Sequence, residues 1–303
     1  DVCSSDLMTV SVVRDFSIRP MEIWTYTALV LVSSLFVTLV IGFPEPVVNL
    51  EEGLQWFRRV AFLIIGMPMA FALVCAFGFR GKAGLNGIWQ RVVHIRVPAY
   101  LYMFALLAMP IGVVFKEWLT GVVLGVEIIG MTVPEMVQAW SFSVLFLLVI
   151  LLGEEVGWRG YYQPGLQAYM TPFKASIIVG LVWGAWHFPV FWGFFYGMKG
   201  EVIYGVIGIL EMTLLPVLFA FSFTWLMNRG GAALLLALLA HATNNATEGL
   251  FHRMQLLEST TGFDFVFVSL AQAIPLAVFA MFVVWCDKES FFSKPEPQAI
   301  QES

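Results

Sequence analysis

The sequence predicts an all-α, polytopic membrane helix bundle with about eight transmembrane helices. Three observations predict it. The 303 residues are 59% hydrophobic and 12% charged, against roughly 25% charged in a soluble globular domain. The mean hydropathy is +0.83. The apolar residues also gather into long runs, and about 20 such residues in helical form cross a hydrocarbon core of roughly 30 Å. Eight runs meet that criterion, approximately Ile23–Phe43, Val60–Phe79, Val97–Phe115, Val137–Gly157, Pro172–Phe194, Tyr204–Met227, Gly231–Leu250 and Phe265–Trp285.

These runs form one integral membrane domain, 1–303, with polar tails at 1–20 and 287–303. Only Asn228, Arg229 and Gly230 separate the sixth and seventh spans, so these two make a tight antiparallel hairpin. Pro68, Pro110, Pro216 and Pro275 fall inside spans, where packed neighbours re-satisfy the freed backbone groups. Met8 is the expected native start, with residues 1–7 an extension. No secretory signal precedes the first span, and no lipidation box closes the chain.

Lysine and arginine counting sets the expected orientation. Arg14 and Arg19, then Arg80, Lys82, Arg91 and Arg96, then Arg159, Lys174 and Arg229 all fall on one side of eight spans. Opposite them stand Glu45, Glu51, Glu52, Glu117, Glu127 and Glu135. Both termini are therefore expected in the cytoplasm, although Arg58 and Arg59 flank the second span on the outer side. The stretch Leu85–Arg96 has the amphipathic pattern of a helix lying along the membrane surface.

Composition also excludes partners. Sixteen Lys+Arg against 21 Asp+Glu give a net charge of −5 with no clustered basic face, so nucleic acid is not a partner. The expected partners are membrane lipids and a peptide or protein substrate. Cys3, Cys75 and Cys286 show no zinc spacing and no disulfide framework, and the last two read as small core residues.

Ionisable groups inside spans are expensive and become functional candidates. Glu154, Glu155 and Arg159 end the fourth span in Gly-Glu-Glu-Val-Gly-Trp-Arg-Gly. His187 lies in the fifth, in Trp-Gly-Ala-Trp-His-Phe-Pro, and His241 and Asn245 lie in the seventh. Glu155 and Arg159 are four apart, share a helix face and can pair. That pairing leaves Glu154, one residue round the helix, to act as a base. His241 and Asn245 share a face in the same way. An amide suits a developing oxyanion, and an imidazole does that or moves protons. A Glu–His pair to deprotonate water and a His–Asn pair to hold the oxyanion suffice for amide hydrolysis without a covalent nucleophile.

The order Glu-Glu-x-x-x-Arg, aromatic-x-x-x-His, His-x-x-x-Asn on successive spans resembles the CAAX-protease and bacteriocin-processing family. These are intramembrane glutamic endopeptidases, also called abortive-infection proteins. The motif-bearing core covers about 141–250. The resemblance implies Glu154 and His187 as the water-activating pair, His241 and Asn245 as the oxyanion hole, and Glu155 with Arg159 as support. Trp183 departs from the phenylalanine often found in the second motif. The implied substrate is a prenylated tail or a leader peptide, and no cofactor is implied.

Competing readings stand beside this one. Glu154, Glu155 and Arg159 read equally as headgroup-level flanking charges, and His187 as a structural histidine. His241 and Asn245, like Glu211 and Glu248, read as interhelical hydrogen-bonding glue. His94 and His252 read as solvated loop residues. One glutamate and two histidines form a possible zinc donor set, but no His-Glu-x-x-His helix is present. A proton-coupled carrier would carry inverted repeats, and none is visible. A non-catalytic immunity or scaffold protein of the same fold is the remaining alternative. Depth is a further difficulty. Glu154 sits near the cytoplasmic end of its expected span, while His187 lies 15 residues into the next, roughly 22 Å along a helix. For the two to meet, the fourth helix must end below the surface, the fifth must tilt, or its start must lie outside the core; a funnel open to the cytoplasm would reconcile them.

Overall fold

The computed structural model describes residues 18–46, 49–127, 131–251 and 253–293. Cys3, Met8, Arg14, His252 and residues 294–303 lie outside the described residues. Among those described, helix is the sole regular structure. The helices are α1 (Pro20–Ile41), α2 (Leu50–Ile64), α3 (Met67–Val93), α4 (Ala99–Leu124), α5 (Val133–Ile150), α6 (Leu152–Gly157) and α7 (Gln163–Gln167). They continue with α8 (Pro172–Lys199), α9 (Val202–Arg229), α10 (Leu234–Glu248), α11 (Arg253–Ser259), α12 (Gly262–Leu270), α13 (Ala273–Cys286) and α14 (Lys288–Phe292). A π-helical turn, Trp158–Tyr162, joins α6 to α7.

Seven stretches among the described residues are long and apolar enough to cross a membrane. The seventh expected span, Gly231–Leu250, is instead the 15-residue α10, about 22 Å long. It packs inside the bundle against α4, α5 and α9. The fourth expected span, Val137–Gly157, is longer than its apolar run suggests. Helix continues from Val133 to Gln167 through α5, α6, the π-turn and α7.

That extension removes the depth difficulty. Glu154 stands thirteen residues before Gln167, about 20 Å from that helix end. His187 stands fifteen residues after Pro172, at nearly the same depth. The sequence pattern stops early because Arg159, Tyr161, Tyr162 and Gln163 look like a polar helix end, yet each is buried.

Side-chain contacts identify the two ends of the bundle. At one end Tyr161 and Arg80 both donate to Glu22 Oε1, at 2.7 and 3.0 Å, and Arg229 pairs with Asp287 at 2.7 Å. The first stretch of the expected C-terminal tail is thus docked: Asp287 is paired and Phe291 of α14 is buried. At the other end Glu258 accepts from the Leu50 amide, and Lys199 donates to the carbonyls of Glu258 and Thr260. α3 turns sharply at Gly81, whose φ of 58° and ψ of −142° suit glycine alone. The segment beyond that kink includes the stretch read as amphipathic. Cys75 is a buried free thiol.

The core lies around α6, the π-turn, α8, α9 and α10. α8 and α9 meet backbone to backbone because Gly180 and Gly184 carry no Cβ; a Cβ at Gly184 would collide with the Met212 carbonyl. Small residues four apart permit such approach inside membranes. α5 by contrast exposes Phe142, Leu145, Phe146 and Val149, the pattern of a lipid-facing helix.

Candidate active site

Residues 153–163 are buried without exception, so the charges on this stretch point into protein rather than into headgroups. The π-turn follows the glutamates directly, and the Trp158 amide is shared between the Glu154 and Glu155 carbonyls. Such wide turns recur at functional sites.

Glu155 and Arg159 pair as their spacing predicts. Arg159 Nη1 donates to Glu155 Oε1 at 2.9 Å, with both side chains fully buried. The guanidinium lies against the rings of both Trp183 and Phe223, at 4.2 and 4.4 Å from their centroids. Two aromatic faces suit a planar, weakly hydrated cation. The same Glu155 oxygen lies 2.8 Å from His241 Nδ1, so α10 is tied to α6. Glu155 Oε2 and Arg159 Nε and Nη2 have no hydrogen-bond partner among the described residues.

Glu154 points the other way, as one residue of helix rotation requires. Its Oε2 accepts from the Trp183 indole N–H at 2.9 Å, and the residue is 5% exposed. His187, one turn on from Trp183, donates from Nδ1 to the Trp183 carbonyl at 3.0 Å. Trp183 therefore links the two: its side chain holds Glu154 and its main chain holds His187. Among the described residues no direct hydrogen bond joins Glu154 to His187.

A cavity of about 620 Å³ runs from this point. Trp183, His187, His241 and Asn245 stand in its wall beside an apolar side formed by Phe57, Phe191, Met212, Leu215, Phe219 and Phe251. Asn245 is exposed to the cavity, and its Oδ1 accepts from Asn244 at 3.2 Å. Glu154 is not a wall residue; it lies behind Trp183. The structure thus joins Glu155, Arg159 and His241 directly, joins Glu154 and His187 through Trp183, and sets Asn245 on the shared wall.

The cavity extends towards Arg58, Met254 and Gln255, at the end where Glu258 meets Leu50. That is the end away from Arg80 and Arg229, so a funnel on the basic side is not what forms. The reason lies in α11, which follows α10 and lines the cavity at that end.

Sequence reasoning missed several residues here. Trp183 read only as an aromatic substitute. Glu117 read as a loop acid, yet it is buried inside α4 and paired with Lys116, which also reaches Glu248 at 3.0 Å. Glu211, assigned to structure, pairs with Arg253 at 2.7 Å and lines the cavity with it. The adjacent Lys116 and Glu117 within an apolar run were the available signal. Among the described residues no three His, Cys, Asp or Glu side chains gather as a metal site.

Comparison with known proteins adds the family. The model of the type II CAAX prenyl endopeptidase Rce1-like family matches residues 136–247. The CAAX prenyl protease 2 of Methanococcus maripaludis is 27% identical over 212 residues, which is 67% of this chain and 67% of that protein. Over this interval the chain is similar to the CAAX prenyl endopeptidase family. The matched interval holds Glu154, Glu155, Arg159, His187, His241 and Asn245, whereas Lys116, Glu117 and Arg253 lie outside it. Seven long apolar stretches among the described residues make it an integral, multi-pass membrane protein, and the proteins it is similar to are CAAX prenyl endopeptidases.

Proposed function

We propose that this protein is an intramembrane endopeptidase that hydrolyses a peptide bond with directly activated water. Glu154 and His187 take the water proton. The attacked carbonyl oxygen becomes an oxyanion and is received by His241 and Asn245. Glu155 and Arg159 support this machinery. The observation that carries the reading is Trp183, which fixes the Glu154 carboxylate with its indole and the His187 ring with its carbonyl. Without such a link, residues on two helices would not hold one water between them.

The reaction in this proposal needs no metal, because general-base activation and fixed hydrogen-bond donors supply the chemistry. The substrate is a peptide or protein segment. The name of the archaeal relative, a CAAX prenyl protease, supports a prenylated tail, and the largely apolar cavity wall suits such a chain. The bias of Arg80, Lys82, Arg91, Arg96 and Arg229 supports cytoplasmic termini, which turns the mouth near Gln255 to the opposite side. Membrane-impermeant labelling of Lys82→Cys and Gln255→Cys in sealed vesicles checks that arrangement, since label reaching both from one side would refute it.

The test uses purified full-length protein. Glu154→Ala and His241→Ala each abolish peptide cleavage while the protein stays folded, and cleavage by the parent protein persists in strong chelator. Unchanged cleavage in either variant would sink the mechanism, and loss in chelator would restore the zinc reading. A carrier would instead show solute flux in liposomes and no peptide product.

A further inference from the structure

The two site histidines are held at the same ring atom by partners of different chemistry. His187 Nδ1 faces the Trp183 carbonyl. A carbonyl only accepts, so Nδ1 carries the proton and Nε2 keeps a lone pair. That is a neutral ring set to take a proton. His241 Nδ1 faces Glu155 Oε1, which Arg159 also contacts. A carboxylate bound to arginine also only accepts, so Nδ1 again carries the proton. In the neutral ring His241 Nε2 has a lone pair and nothing to offer an oxyanion. Only the imidazolium presents an Nε2–H to the cavity.

The buried carboxylate is what a charged ring needs. A carboxylate at Nδ1 orients an imidazole and stabilises the imidazolium, whereas a carbonyl orients it without a counter-charge. The ring also sits edge-on to Trp183 at 5.4 Å and near Phe223 at 6.0 Å. The charged groups around it are Glu155 of α6 and Arg159 of the π-turn, with Glu154 and His187 across Trp183. From α4, Lys116 and Glu117 meet α10 two turns further on, at Glu248.

We infer that His241 works as an imidazolium whose Nε2 proton passes to the departing amine, with Glu155 as its positioning residue. The inference rests on the endopeptidase reading and adds a proton donor to it. The proton balance closes. Water oxygen bonds to the carbonyl carbon as Glu154 and His187 take one water proton. The C–N bond then breaks, its electron pair stays on nitrogen, and that nitrogen takes the His241 proton. The proton collected from water restores the ring.

An amide must be protonated to leave, and a thiolate need not be. The experiment compares an internally quenched peptide with its analogue in which a thioester replaces the scissile amide. Both are given to one preparation of full-length His241→Gln, which keeps an amide donor for the oxyanion but has no proton to transfer. Amide hydrolysis falls about 100-fold further than thioester hydrolysis, the lower range for a general acid. Because both rates come from one preparation, an unfolded fraction cancels in their ratio. Glu155→Gln shows the same split in a weaker form. Equal losses on both substrates would overturn the proton-donor role and leave His241 as an oxyanion donor alone. Parent protein that cleaves neither substrate would overturn the endopeptidase reading itself.

Discussion

The ionic clusters at Glu155 and at Arg253 both lie inside the bundle, the second partly exposed at Glu248 and Arg253, yet they are built in different ways. The first takes Glu155, Arg159 and His241 from α6, the π-turn and α10, with the cation against two aromatic rings. The second takes Lys116, Glu117, Glu211, Glu248 and Arg253 from α4, α9, α10 and α11. In the first, the carboxylate receives both an arginine and a histidine that stands in the cavity wall. In the second, Lys116–Glu248 and Glu211–Arg253 fasten the end of α10 and α11 around the polar end of the cavity. In the proposed mechanism one cluster aims a proton carrier, and the other fixes the walls that a substrate meets. Burial and charge alone would not separate them, and the contacts to His241 do.

Breaking the first cluster has the larger effect. Arg159→Leu removes the partner of a fully buried carboxylate, and breaking a buried pair costs about 3–5 kcal/mol. Thermal unfolding of the purified protein should register that loss, and cleavage should disappear with it. Normal stability with normal cleavage would mean that the pair is not what holds His241. The smaller effect belongs to the second cluster. Glu211→Gln leaves Arg253 without its carboxylate beside a cavity that admits water, at about 1–3 kcal/mol. Steady-state kinetics should then show KM raised several-fold with kcat nearly kept, the sign of lost uniform binding. A fall in kcat to match Arg159→Leu would move this cluster into the chemistry.

The same contrast explains what the sequence made legible. Glu155 and Arg159, and His241 and Asn245, are visible because a separation of four residues is a contact along one helix. The membrane bundle is visible because lipid demands long apolar runs. The extent of the fourth helix is not, because π-helical geometry lets Arg159, Tyr161 and Tyr162 turn inward where a helix end was expected. The link from Trp183 to Glu154 crosses 29 positions and the Lys116–Glu248 pair crosses 132. No local pattern encodes such distances. α10 was read as a full span because its composition is apolar, and its 15 residues are apolar for core packing instead.

In the proposed mechanism Glu154 activates the water that cuts the peptide. Glu154→Gln keeps the size of the side chain and a hydrogen-bonding partner for Trp183 while removing the base. The most direct measurement is the single-turnover cleavage rate of this variant against the parent, in purified protein of matched thermal stability. The expected loss is at least about 1,000-fold, within the range of general-base catalysis. A rate within a few-fold of the parent would contradict it.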